Sequence, residues 1–564
     1  MRTKRLNGRR RCNARQQGSA GPITIALILA ALAPLIAVLG LLVMLRLPAA
    51  VAMPISLLVT ALVSVVIWRV PVIQVLAAAA EGTVIAASIV WIVFGAIFLL
   101  KVLTAGGAMT VIRDGFTRIA PDPRAQIIVI AWLFGAFLEG AAGFGTPAAI
   151  TAPLLVALRF RPMAAVVLAL IADSSPVSFG AIGTPVAIGL AQGLEEDGQV
   201  DAAIAADGDQ SLETMLEAVA VQAAMIDLFV GSLIPLIMIL IFTRFFDVRQ
   251  SWKAGLAAWK FALAAGFAYT LPALGVAAML GPELPALIGA LCGLAIIVPI
   301  ARKGWLLPDG GLRPTLEHGA LVASPMSLKR AWSPYLLLAV MLVVTRIEIL
   351  PFKSWLNKVS IQWNGIFGTE ISVSVAPFYL PGAMFVVIAV LTLRMHRMNL
   401  AQVRTSLNEA ARIVGTSAMA LGAAVPMVRI FIQSGVNDAG LRSMPMELAS
   451  FAAGGVGTKW PLVAPLLGAL GSFLSGSATF SNMTFALLQT QAAEQVGMPT
   501  VLVLAGQMLG ANAGNMVSVL NVVAAAAVVG LIREEGRIIR FTFLPMLIYA
   551  LASGTIIFAL MLAS

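Results

Sequence analysis

Long apolar runs, each about the length of a membrane crossing, recur along the chain with short polar segments between them. They fall at 22–45, 49–68, 82–102, 221–243, 258–280, 284–301, 333–351, 372–393, 413–433 and 541–562. A hydrocarbon core of about 30 Å takes roughly 20 residues of helix. These runs are continuous rather than alternating, which predicts helices and not barrel strands. Two further stretches, 125–190 and 461–530, are as apolar but are interrupted by Gly, Pro, Ser and Asn. The pattern predicts an all-α polytopic membrane protein of about 12 to 14 transmembrane helices. One transmembrane domain would span 1–564, with re-entrant hairpins and broken helices in the two interrupted stretches.

Composition fits that reading. Sixty per cent of the 564 residues are hydrophobic and 11% are charged, whereas a water-soluble domain keeps about a quarter of its residues charged. The net charge of +11 points first to nucleic acid, but its distribution points to membrane topology. Lys and Arg gather in 244–260, 302–332, 394–412 and 533–540, which the positive-inside bias places in the cytoplasm. The segment 191–220 holds Glu195, Asp201, Asp209 and Glu217 among its acids, with no Lys or Arg, and is expected outside. Residues 1–21 carry Arg2, Lys4, Arg5, Arg9, Arg10, Arg11 and Arg15, a basic cytoplasmic tail before a retained first helix. Three spans and a cytoplasmic 103–124 loop then leave one crossing short. Either 69–81 enters the membrane or the tail lies outside.

The chemistry of soluble enzymes is missing from the sequence. Cys12 and Cys292 lie in a basic tail and an apolar helix, and His318 and His396 in basic loops, so neither disulfides nor a metal cluster is expected. No nucleophile, zinc or nucleotide motif stands in a supporting context. The expectation is no catalytic residue, no metal and no cofactor.

The two interrupted stretches match each other. Gly135-Ala-Phe-Leu-Glu-Gly-Ala-Ala-Gly-Phe144 aligns with Gly471-Ser-Phe-Leu-Ser-Gly-Ser-Ala-Thr-Phe480, identical at six of ten positions. Each is followed by an apolar stretch and a second polar break, Asp173-Ser-Ser-Pro-Val-Ser178 and Asn512-Ala-Gly-Asn515. Charge flanks run the first copy from inside to outside and the second from outside to inside. A hairpin (about 125–158 and 461–493) plus one broken crossing (about 162–190 and 500–530) satisfies both. Inverted repeats with discontinuous helices hold substrate near the bilayer midplane, because unwound backbone in hydrocarbon survives only where protein, water or ligand satisfies it.

Candidate chemistry gathers at these breaks. Glu139 stands alone in an apolar hairpin, and an ionised carboxylate is costly at that depth; it serves proton coupling or site electrostatics, or is simply capped by glycine N–H groups. Asp173 is either a proton carrier or the N-cap of the half-helix that follows. Gly140, Gly143, Gly145 and Thr146 at one predicted turn, and Ser475, Ser477, Thr479, Ser481 and Asn482 at the other, are expected to line the substrate. Close helix packing is the competing use of such residues. Ser174, Ser175, Ser178 and Thr184, with Asn512, Asn515, Ser518 and Asn521 opposite, are expected to contribute further polar contacts. Arg429 interrupts the span 413–433; it either snorkels to the interface or forks onto a substrate carboxylate.

The segments Phe137–Pro147 and Leu170–Pro185, with Gly476-Ser-Ala-Thr-Phe-Ser-Asn482 and the Gln489 region, resemble the L-lactate permease family. The resemblance implies secondary active, proton-coupled symport of L-lactate, D-lactate and glycolate across a bacterial inner membrane. Its wider relatives, the ion-transporter superfamily, have Ser-Asn-Thr hairpin tips that contact carboxylates. Here the tips read Ser481-Asn482-Met483-Thr484 and Phe144-Gly145-Thr146, a departure that suits protons better than a sodium site. The expected partners are a small monocarboxylate, protons and the lipid bilayer, with no nucleic acid; self-association into a homo-oligomer stays open. A sodium-coupled di- or tricarboxylate carrier, a channel and a membrane enzyme are the alternatives.

Overall fold

A computed structural model describes residues 25–41, 45, 47, 49–117, 122–141, 143, 145–194, 211–308, 326–346, 351–529, 531 and 534–563. The basic tail 1–21, the acidic centre of the 191–220 loop and Ala142 and Phe144 of the first repeat lie outside these, as does the side chain of Thr146. The protein is a helical, multi-pass membrane protein. Among the described residues, eight helices are long and apolar enough to cross a membrane, and five apolar helices are shorter.

Two of the long helices exceed what a bilayer requires. Val72–Ala105 has 34 residues and Leu400–Ile432 has 33, about 50 Å each at 1.5 Å per residue. The expected span 82–102 is therefore only the middle of its helix, and most of 69–81 lengthens that same helix instead of forming a separate crossing. The pair packs along its length. At Gly82 the backbones come so close that a Cβ would stand 2.5 Å from Pro426 Cα, which only a residue without one permits. Leu400–Ile432 begins with a reciprocal cap between Asn399 and Gln402, which satisfies backbone groups that a helix start leaves open.

One expected crossing is shorter than its apolar run. Residues Val373–Val375 pair antiparallel with Ile361–Trp363, so the span 372–393 is helical only from Pro381 to Met395. β-branched Val373 and Val375, Pro377 and Pro381 explain the difference. Hydropathy counts them as helix, while their stiffness and the proline before the helix favour an extended entry.

The two interrupted stretches fold alike. In the first, a continuous apolar helix from Pro123 to Ala141 turns through Gly143 and Gly145 into Thr146–Ala157. Pro162–Ala172 then unwinds at Asp173, passes a 3₁₀ turn at Ser175–Phe179, and resumes over Pro185–Leu194. In the second, Trp460–Ser475 turns at Gly476 into Ala478–Val496, and Thr500–Asn515 breaks before Val519–Val528.

Candidate functional site

The turns and breaks of both stretches converge on one cavity. Glu139, Gly143, Gly180, Ala181 and Pro185 line it from the first, and Gly476, Ser477, Thr479 and Asn515 from the second. Its volume of about 20 Å³ is room for roughly one water. No Lys or Arg is among its lining residues.

Local sequence explains the shape. Gly145 takes φ +71° ahead of Thr146–Ala157, and a Cβ there would stand 2.4 Å from Asn521 Oδ1, so glycine alone lets the first turn close onto the second broken crossing. Across the cavity the backbone enters the left-handed region at Ala181 (φ 42°) and Ile182 (φ 58°), both buried. A side chain costs about 1–2 kcal/mol per residue in that region. Glu139 reaches across to this segment, and a Cβ on Gly180 would lie 2.1 Å from its Oε1.

Two carboxyls meet here. Glu139 and Asp173 are both buried and lie within interaction range of one another. Asp173 Oδ2 accepts a 3.0 Å hydrogen bond from Asn515 Nδ2, and Asn515 Oδ1 accepts one of 2.9 Å from Asn521. Glu139 Oε2 and Asp173 Oδ1 each have no hydrogen-bond partner among the described residues. Buried acceptors are seldom left so.

The remaining predicted residues divide between cavity and scaffold. Ser477 caps Ala478–Val496 by accepting from Phe480 N (3.3 Å) and also lines the cavity, as Thr479 does. Ser178 accepts from Asn512 Nδ2 at 2.6 Å, which ties the two broken crossings together. Asn482 on the second hairpin donates to Pro185 O of the first broken crossing, at 3.1 Å. Other predicted residues serve local structure. Ser174 bonds back to Ile171 O and Ser475 to Gly471 O, the usual use of hydroxyls in membrane helices. Ser481 donates to Gly468 O and accepts from Gln507. Gly140 lies against the backbone of Leu287. Ser175 donates to Asp227.

Arg429 stands apart from the cavity. Its guanidinium donates to Glu81 Oε1 and to Gln192 O, both at 2.6 Å, and its side chain is 0% exposed. Snorkelling to the interface is therefore not what it does. The arginine fork joins the long helix pair to the C-terminal end of the first broken crossing, at Gln192.

Sequence reasoning missed three participants. Asp227 and Tyr549 join Ser175 and Asn512 in one buried cluster. Gln507 links Ser481 to Gln489, which in turn accepts from Trp460. Asp227 was detectable, since it is a lone acid in the apolar run 221–243, the same feature that marked Glu139. Gln507 and Tyr549 carry no such signal.

The L-lactate permease family matches residues 27–563 of this chain. A relative from Haemophilus influenzae is 32% identical over 82% of this chain and 85% of its own. The L-lactate permease of Escherichia coli is 28% identical, covering 95% and 96%, and the glycolate permease of the same organism is 27% identical, covering 94% of each. Among solved structures, the YdaH transporter of Alcanivorax borkumensis aligns with a TM-score of 0.40 at 16% identity, over 83% of this chain and 84% of that one.

Proposed function

The chain belongs to the L-lactate permease family, and from that premise we propose proton-coupled symport of L-lactate and related 2-hydroxy monocarboxylates, D-lactate and glycolate among them, across a bacterial inner membrane. The observation that carries the proton is the buried pair Glu139 and Asp173, each with an oxygen that no donor among the described residues reaches, with Glu139 standing on a cavity whose lining has no cation. Two ionised carboxyls at close range repel each other and any third anion. One proton held by the pair removes that repulsion. Proton and substrate anion then favour each other's binding, and such coupling is reciprocal. That is how a site with no lysine or arginine can take a carboxylate.

The substrate carboxylate would sit against the start of Ala478–Val496, where backbone N–H groups and the helix dipole favour an anion. Ser477 and Thr479 would supply hydroxyls, and Gly143 the facing backbone. We treat the two stretches as inverted copies, and their movement against the long helix pair as the step that alternates access, possession of the proton deciding when it occurs. The space of about 20 Å³ must widen for lactate to enter. Purified protein in proteoliposomes with an external pH dye tests the reading: an inward lactate gradient should alkalinise the medium, with or without sodium. No alkalinisation, or uptake that requires sodium, would overturn it.

A further inference from the structure

The unwound turn that carries Asp173 and Ser178 is held by a closed ring of side chains from three other helices. Ser175 and Tyr549 both donate to the carboxylate of Asp227, one to each oxygen. Tyr549 lies 3.5 Å from Asn512 Nδ2, and Asn512 donates onward to Ser178 Oγ at 2.6 Å. Ser175 and Ser178 belong to one 3₁₀ turn, so the ring closes on itself. Leu212–Val230 contributes Asp227, Thr500–Asn515 contributes Asn512, and Glu535–Ala563 contributes Tyr549. All these side chains are buried. Gly231 makes the space, since a Cβ there would stand 2.5 Å from Asp227 Oδ1 and 2.6 Å from Ser175 Oγ.

We propose that Asp227 is the positioning residue of the transport site, a buried carboxyl that fixes the unwound 173–180 turn through Ser175 and Tyr549. The three buried carboxyls of the region differ in their partners. Glu139 and Asp173 each keep an oxygen without a donor, whereas both oxygens of Asp227 are taken by hydroxyls. Both hydroxyls bond one buried carboxyl, and they hold a segment whose own backbone bonds are only those of a single 3₁₀ turn. Around it stand Tyr549 and Tyr269, with Glu139 near Tyr269 and Asp173 two residues before Ser175. Among the described residues, its hydrogen-bond donors are these two neutral hydroxyls.

The proposal rests on the transport reading for its activity arm, and a second arm is independent of it. In proteoliposomes, Asp227→Asn should lower lactate uptake at least about tenfold. Ser175→Ala should lower uptake about three- to tenfold, and the Ser175→Ala/Asp227→Asn double variant should be no worse than Asp227→Asn alone. The second arm uses no substrate. In a background of Cys12→Ser and Cys292→Ser, Val177→Cys on the cavity wall should react with a small maleimide at least about tenfold faster when Asp227→Asn is added, since the turn is then released. Labelling within twofold of the parent, or single effects that multiply in the double variant, overturns the proposal. If Asp227→Asn does not fold, Ser175→Ala and Tyr549→Phe each remove one donor and should each speed labelling; unchanged rates in both overturn it equally. Wild-type protein that fails to take up lactate while labelling rises as expected would sink the transport reading and leave Asp227 in its assigned role.

Discussion

The first stretch gives the cavity the Glu139 carboxyl, backed by Asp173, and each of these carboxyls has an oxygen without a donor among the described residues; the second gives it the amide of Asn515 and the hydroxyls of Ser477 and Thr479. Glu139 and Asp173 thus hold unused acceptors, while Asn515 and Ser477 are committed to Asp173 and to a helix cap. Backbone plan is shared, with a hairpin, a tight glycine turn and an interrupted crossing in each. Side-chain chemistry is not. Two stretches of similar build can hold one ligand between them while only one of the two changes charge.

Substitutions can break that asymmetry. The largest effect is expected at Glu139: Glu139→Gln should reduce proton-driven lactate accumulation by about a hundredfold, roughly 2.7 kcal/mol at 1.36 kcal/mol per tenfold, while counterflow exchange partly survives and loses its pH dependence. Accumulation that stays intact would remove the first segment's special role. Next, Arg429→Gln leaves Glu81 buried without its charge partner, which typically costs about 3–5 kcal/mol. The purified protein should melt at a lower temperature, yet the substrate concentration for half-maximal uptake by the folded fraction should hold steady, because Arg429 does not line the cavity. Asn515→Ala removes the amide that donates to Asp173 and should lower uptake about five- to tenfold, in keeping with a hydrogen bond to a charged group. Smallest of all, Ser477→Ala loses a helix cap worth about 1 kcal/mol, with half-saturation raised a few-fold and the pH profile unmoved. A shifted pH profile for Ser477→Ala would mean that the second segment takes part in proton handling.

Much of this was legible in the sequence because membrane burial leaves few explanations for a polar residue. A carboxyl at 139 inside an apolar hairpin, and glycines at 143, 145 and 476 between apolar runs, are conspicuous in one dimension. Asp173 beside the Asn512–Asn515 break was visible too, although its bond to Asn515 spans 342 residues and no pattern announces such a pairing. Periodicity could not tell apart residues that line the cavity from residues that bond their own helix. Ser174, Ser475 and Ser477 look equivalent in sequence, and backbone carbonyls claim the first two. Hydropathy also misjudged two ends. Glu81 seemed to lie outside the run 82–102, yet the helix begins at Val72 and encloses it. The apolar 372–380 stretch reads as helix, but its valines pair as a strand. For Glu81 the deciding partner, Arg429, is 348 positions away, whereas the valines pair with the nearby Ile361–Trp363.

The Arg429–Glu81 pair has a consequence for biogenesis. The two residues are 348 positions apart, so Val72–Ala105 is threaded into the bilayer long before Leu400–Ile432 has been synthesised. At the usual rate of about 5–20 residues per second, Glu81 waits on the order of half a minute for its guanidinium. During that interval the nascent chain carries an unmatched acid in the helix that later serves as its main strut. A ribosome that stalls before residue 429 therefore leaves a product in which Glu81 lacks the guanidinium that matches it in the finished fold.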